Sequence, residues 1–239
     1  MNDMDSQGSE SRILRTVWGL TTPPSRGPRA KYDVSDVAAA AVSLADADGL
    51  AGVVLSAVAA ELQLTTTALY RYVDSKETLV ELMVDAALGP APTPDVADWR
   101  AGVEVWVRAL WMRYREHPWI AEVPLAGMPR HPQRLGWMEA LLRELDRGPI
   151  GDPMHTALLL DAVTRSFALL ARPVSRRDAP PPWLLEVAAA RYPRLARELQ
   201  RDWTNIEDEL TAAIRTVLLG SERMPQAKRI DGPESQAAS

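Results

Sequence analysis

Thr65-Thr66-Thr67-Ala68-Leu69-Tyr70-Arg71-Tyr72-Val73 is the stretch from which the rest of this 239-residue chain is best read. Thr65 suits a helix N-cap, because its hydroxyl can accept a hydrogen bond from an orphan N–H of the first turn. Leu69 and Val73 are four residues apart and share one face, which predicts a side turned to a core. Thr66, Thr67, Tyr70 and Arg71 project elsewhere, and all four carry groups suited to base edges and phosphates. Asp74-Ser75 ends the helix and can cap the next one, opening at Lys76-Glu77. An ordinary surface helix fits the same nine residues, so the flanking segments have to decide.

Upstream, Val34, Val37, Ala38, Ala41, Val42 and Ala45 follow the helical period and predict a helix from about Ser35 to Asp48. Gly49 is a fitting C-cap. Leu55, Val58, Ala59 and Leu62 predict a second helix over about 55–62, and Gln63-Leu64 makes the turn into the quoted stretch. Downstream, Leu79, Val80, Leu82, Met83 and Ala87 predict a helix from Lys76 to about Leu88. Gly89-Pro90-Ala91-Pro92-Thr93-Pro94 then stops the helix and marks a domain boundary. A short polar-faced helix held between such neighbours is what a helix-turn-helix needs to enter a major groove.

Four blocks in this order, Val42 to Leu50, Val58-Ala59-Ala60-Glu61-Leu62, Ala68 to Val73 and Asp74-Ser75-Lys76-Glu77-Thr78-Leu79, resemble the tetracycline-repressor (TetR) family of bacterial regulators. The resemblance covers residues 30–88; beyond it, Glu116-His117-Pro118-Trp119 and the helical character are similar. It implies a three-helix DNA-binding domain with a linking helix, then a helical ligand-binding and dimerisation domain. It assigns base contacts to Thr66, Thr67 and Ala68, whose hydroxyls and methyl suit base edges and a thymine methyl. It assigns phosphate contacts to Tyr70, Tyr72 and Lys76, the last at a helix N-terminus where two positive features meet one phosphate.

The chain also departs from that family. Val54 stands where a Ser or Thr usually opens the second helix. Ser56 and Ala57 occupy positions often basic in relatives. Gln63 replaces the usual corner Gly, at a cost of roughly 1 kcal/mol if the corner needs positive φ. Arg71 and Lys76 are the only basic side chains between residues 32 and 88. The salt-dependent binding term is therefore expected to be small unless the arm Arg26-Gly27-Pro28-Arg29-Ala30-Lys31 contributes. Arg26, Arg29 and Lys31 fit phosphate or minor-groove contact, and they fit a solvated linker equally well.

Composition narrows the classes. The net charge is −5, so any DNA contact relies on local placement of cations. There is no cysteine, which excludes a disulfide framework and thiolate metal sites. No apolar run is long enough to span a membrane, and the acidic N-terminus has no signal-peptide core, so a cytoplasmic protein is expected. Residues 1–25 are polar and expected to be a disordered tail, although Ile13 to Leu20 is more apolar than a free tail needs and could dock on the body. Residues 26–90 form the expected DNA-binding domain with its arm, 95–222 the second domain, and 223–239 a disordered tail.

In the second domain, Trp99, Val103, Trp106, Val107, Leu110 and Tyr114 form one helical stripe, and Leu135, Met138, Leu142 and Leu145 another. Met154 to Ala171 is the most apolar helix, with Asp161 and Arg165 spaced to pair across one turn. Trp183 to about Asp202 reads as a helix kinked near Pro193, and Ile206 to Leu218 as the last helix. Aromatics at helical spacing usually pack as core. The resemblance adds a pocket for a small apolar or aromatic effector, with Trp106, Leu110, Trp119, Met128, Trp137 and Phe167 as its candidate residues. The apolar helices 154–171 and 206–219 suit a two-fold four-helix interface.

His117, His131 and His155 are scattered, and no metal-binding, phosphate-cradling or nucleophile motif is present, so neither enzyme chemistry, a metal nor a cofactor is expected. The expected class is all-α. The expected function is a homodimeric repressor that binds a palindromic operator in double-stranded DNA and is released by a small effector, with no membrane partner. The alternative is a dimeric ligand-binding or protein-interaction module whose degenerate helix-turn-helix no longer binds DNA.

Overall fold

The structure, a computed structural model, describes residues 12–21, 31–124, 127–172, 181–198 and 205–225. These residues are helical with no strand among them. Helix α1 covers residues 12–17, α2 Val34–Gly52, α3 Leu55–Glu61, α4 Thr66–Leu69 and α5 Lys76–Leu88. The second half holds α6 Trp99–Glu116, a 3-10 turn at Pro118–Glu122, α7 Pro132–Leu145, α8 Pro153–Leu170, α9 Pro182–Arg191, α10 Pro193–Glu198 and α11 Ile206–Ser221.

Local chemistry explains most of these boundaries. Asp33 opens α2 by accepting from the N–H groups of Ser35 and Asp36, while the Asp36 carboxylate accepts from the Asp33 N–H at 2.8 Å. That reciprocal arrangement satisfies two orphan donors at once. The first helix runs past the expected Asp48 to Gly52, through a break at Gly49, whose φ of 71° and ψ of −179° only glycine adopts without strain. Asp98, Asp152 and Asn205 cap α6, α8 and α11 more simply, each side chain accepting from one backbone N–H of the first turn. Tyr192-Pro193 separates α9 from α10 at the expected place, since proline lacks the N–H that would continue the helix. Helix α10 is described to Glu198, and the expected end near Asp202 lies outside the described residues.

Two expectations are corrected. The quoted stretch is not a nine-residue helix: only Thr66–Leu69 is α-helical. After Leu69 the chain tightens into turns, with Arg71 N–H bonding Ala68 O and Tyr72 N–H bonding Leu69 O, both three-residue closures. These turns bury Leu69 and Val73 together, which a straight helix would also have done. The second concerns the N-terminal segment, where the expected tail is in part docked on the body, as its apolar island Ile13 to Leu20 allowed. Residues 12–21 are ordered, with Ile13 only 3% exposed in the core and Val17 packed against it. The chain stops helically at Gly19 (φ 66°), where Gly19 N–H bonds Thr16 O and Leu20 N–H bonds Arg15 O.

The core is continuous between the two halves. Helix α5 packs on α2, α6 and α7, and α8 lies against α6, α7, α11 and the 3-10 turn. Polar ties reinforce the junction. Asp46 on α2 accepts from the Trp119 indole at 2.7 Å and pairs with His117 Nδ1 at 2.8 Å. Asp85 on α5 is buried and accepts from the backbone N–H of Arg134 at 3.0 Å. Arg147 donates to the carbonyls of Val96 and Ala97, which seats the 89–98 connection. Gly102 on α6 faces the buried Glu144 carboxylate so closely that a methyl group there would collide with it.

Candidate nucleic-acid interface and internal cavity

The corner before α4 is set by backbone hydrogen bonds. Gln63 N–H bonds Ala60 O and Leu64 N–H bonds Ala59 O, which closes α3 as a Schellman motif. The motif requires a left-handed residue at its corner, and Gln63 takes it with φ 55°. Val54 opens α3 without a side-chain cap, as its sequence implies. Thr65 does cap α4: its Oγ1 accepts from Ala68 N–H at 3.2 Å. Ser75 caps α5 by accepting from Thr78 N–H at 3.0 Å, and Thr78 in turn donates to Asp74 at 2.6 Å.

The consequence is a single exposed turn aimed outward on a buried base. Thr65, Thr66, Thr67, Tyr70, Arg71 and Lys76 are exposed, Ala68 and Tyr72 are half-buried, and Leu69, Val73 and Leu79 sit in the core. Hydroxyls, a guanidinium and an ammonium are thus exposed on and beside this turn, the groups that direct and phosphate contacts to DNA require. Lys31 is exposed, with its ammonium 4.9 Å from the Tyr32 ring centroid. Arg26 and Arg29 lie outside the described residues. Sequence reasoning missed Arg12, whose guanidinium donates to Arg71 O at 3.3 Å from 59 residues away. The signal was present as Ile13 and Val17 at helical spacing followed by Gly19.

A partly open cavity of about 180 Å³ lies among α5, α6, α7, α8 and the 3-10 turn, where the two halves meet. Trp106 and Trp137 meet edge to face in its wall, with ring centroids 5.7 Å apart, and the Trp106 indole donates to Trp137 O at 2.8 Å. The Trp137 indole donates to Gly89 O at 2.9 Å, so this wall is bonded to the end of α5. Of the six expected pocket residues, Trp106, Leu110 and Trp137 line the cavity. Trp119, Met128 and Phe167 do not: Trp119 is committed to Asp46, Met128 is 80% exposed, and Phe167 packs half-buried against the core.

The lining also holds polar groups that were not among the six expected pocket residues, namely Tyr114, Arg134, Asp161 and Arg165. Arg165 donates to Val123 O at 2.6 Å, and its Nε is buried without a hydrogen-bond partner among the described residues. The expected Asp161–Arg165 pair survives as electrostatic attraction rather than as a helix-surface bridge. Burial raises the Asp161 carboxyl above its ordinary value, with Arg165 and Arg134 opposing the shift. Burial also raises the Tyr114 phenol, so that hydroxyl stays protonated and can donate.

Among known proteins, a repressor from Streptomyces coeruleorubidus described as an HTH-type transcriptional repressor, DrrR1, is 31% identical over 245 residues, covering 95% of this chain and 91% of its own. The chain belongs to the TetR family of transcriptional regulators. It is a regulator and not an enzyme. An HTH-type regulator from Saccharopolyspora erythraea is 32% identical over 97 residues, 38% of this chain and 41% of its own. No family model matches the chain. The TetR-family fold is shared with the Streptomyces coelicolor protein ActR in complex with (S)-DNPA, with a TM-score of 0.67 and 23% identity over 80% of this chain and all of that one. ActR in complex with actinorhodin gives a TM-score of 0.65 at 20% identity over 80% of this chain and 98% of that one. No described helix is long and apolar enough to cross a membrane.

Proposed function

We propose that this TetR-family regulator is a homodimeric repressor whose paired recognition turns read a palindromic operator and whose internal cavity takes a small, largely apolar or aromatic effector. The observation that carries the reading is the bonded path from cavity to reading head. Trp137 lines the cavity and donates to Gly89 O at the end of α5, and the other end of α5 carries Ser75-Lys76 beside the recognition turn. A ligand displacing Trp106 and Trp137 would push on α5 directly.

Dimerisation is supported by α8 and α11, which pack on each other and still expose Met154, Leu158, Leu159, Leu169, Leu170 and Leu219. Apolar surface of that kind on two adjacent helices fits a four-helix interface. Two recognition turns in such a dimer would address half-sites about 34–36 Å apart. Effector binding would favour a spacing that no longer matches, a population shift requiring only that the ligand prefer one state. Thr66, Thr67 and Ala68 serve as base contacts and Tyr70, Arg71, Tyr72 and Lys76 as backbone contacts, with Thr65 capping the turn. ActR in complex with (S)-DNPA and with actinorhodin offers a precedent for an occupied cavity, not an identity for its occupant.

The test is a gel-shift assay against DNA flanking the protein's own coding region, with the site then defined by selection from random DNA. A shift at low salt that Thr66→Ala with Tyr70→Phe abolishes supports the reading. No shift at low salt, or a shift indifferent to that double substitution, overturns it.

A further inference from the structure

The reading head is short of positive charge. From Tyr32 to Leu88 nine carboxylates stand against two cations, Arg71 and Lys76. A surface with that balance repels a polyanion unless cations arrive from elsewhere. The structure brings one, from a segment whose sequence reads as a tail. Helix α1 turns Ile13 and Val17 inward, one turn apart, and leaves Arg12 and Arg15 exposed, three residues apart and so neighbours on its surface. Arg12 donates to the carbonyl of Arg71, the residue that closes the recognition turn. At the other end, the Trp18 indole donates to Arg130 O at 3.0 Å, and Arg130 pairs with Glu81 on α5. The segment is therefore pinned at both ends and through its middle, with its basic end at the reading head.

We infer that α1 is a second DNA-contacting element, in which Arg12, with Arg15 beside it, binds the phosphate backbone next to the recognition turn, and Ile13 and Trp18 are the residues that position it. The inference rests on the DNA-binding reading above. A guanidinium suits this role because its five donors form a fork: one N–H can hold the Arg71 carbonyl while the charge faces a phosphate. Docking matters because an anchored arginine loses little freedom on binding, whereas an arginine on a free tail must first be ordered. The same geometry makes the contact independent of base sequence, since phosphates carry no sequence information.

The test uses the full chain and a duplex of random sequence, with affinity followed by fluorescence anisotropy across a salt series. Each phosphate contact contributes about 0.9 to the slope of log affinity against log salt, so a dimer that loses two falls by about 1.8. Arg12→Gln keeps a donor for the Arg71 carbonyl and removes the charge; it is expected to lower the slope by that amount. Arg12→Lys keeps the charge and is expected to retain most of it. Ile13→Ala leaves the charge in place but loosens the seat of α1, and is expected to lower the slope while circular dichroism shows the remaining helices intact. A wild-type slope in Arg12→Gln overturns the inference and leaves α1 a clasp, with the DNA-binding reading untouched. No salt-dependent binding by the unaltered protein overturns both. Arg12→Gln and Arg12→Lys losing affinity equally, with no change in slope, also counts against a phosphate contact.

Discussion

The recognition turn and the internal cavity are built in opposite ways. Every residue of the turn comes from one stretch of 12, Thr65 to Lys76, and its conformation follows from caps and hydrogen bonds within that stretch or a few residues either side of it. The cavity draws on α5, α6, α7, α8 and the 3-10 turn, and no two of its polar groups but Asp161 and Arg165 are near in sequence. Contiguous sites keep their geometry as long as their local bonds hold. Assembled sites depend on the packing of every helix around them. The two are joined by α5, which carries Ser75-Lys76 at one end and is bonded to Trp137 at the other.

The largest expected effect is on the dimer. Leu159→Glu with Leu170→Glu, both on the exposed face of α8, is expected to give a monomer in sedimentation. Operator affinity should fall on the order of 100-fold or more, because the second half-site no longer adds to the first. A dimer that survives both charges would place the interface elsewhere. Next comes the turn itself. Thr66→Ala with Tyr70→Phe removes exposed groups that make no core contact, so thermal stability should be unchanged while binding loses about 1 kcal/mol per contact and per protomer. A stability loss instead would mean these groups hold the turn rather than the DNA.

The assembled half should respond the other way. Gly102→Ala forces a methyl group onto the buried Glu144 carboxylate and is expected to cost about 1–3 kcal/mol in urea unfolding. Ligand binding in the cavity should suffer before DNA contacts do. His131 gives the junction a pH dependence. Burial holds its imidazole below the ordinary value of 6.5, with Asp85 and Glu81 opposing and Arg130 and Arg134 adding to the shift. Below pH 6.5 the unfolded chain takes up a proton that the folded chain resists. Stability is therefore expected to fall as the pH drops from 6.5 toward the lowered folded value. The carboxyl of Asp85 is shifted upward by burial and pulls the opposite way at lower pH, so His131→Gln, measured beside the unaltered protein by thermal melts, isolates the histidine. The smallest effect is at the corner. Gln63→Gly relieves a left-handed non-glycine and should stabilise by about 0.5–1 kcal/mol, with operator affinity unchanged.

The helices of the second half were legible because their apolar spacing is regular and their ends carry Asp, Asn and Pro. The break at Tyr192-Pro193 needed only the missing N–H of proline. The recognition turn was legible in its capping and its inward face, but not in its length. Tyr70 to Tyr72 have helical spacing, and only the three-residue closures after Leu69 end the helix there. The cavity was half legible. Trp106, Leu110 and Trp137 sit where periodicity put them, whereas Trp119 has the same composition and a different neighbour, Asp46, that captures its indole. Arg165 read as one half of a pair across a helix turn, and it lines the cavity together with Arg134, which carried no sequence signal. Helix α1 was legible as an apolar island able to dock, whereas the contact of Arg12 with Arg71 was not.

By itself the sequence determined the all-helical class, the order of the helix-turn-helix blocks, the caps at Thr65 and Ser75, and the strained corner at Gln63. These are settled by side chains acting on backbone within a few residues of themselves, so the chain order contains them. Only the tertiary structure decided that Ile13 belongs to the core, that Arg12 reaches Arg71, that Trp137 is bonded to the end of α5, and which aromatics surround a cavity rather than fill one. Those outcomes depend on which helix faces meet across long sequence separations, where burial and a single hydrogen-bond partner select among arrangements that periodicity leaves equal.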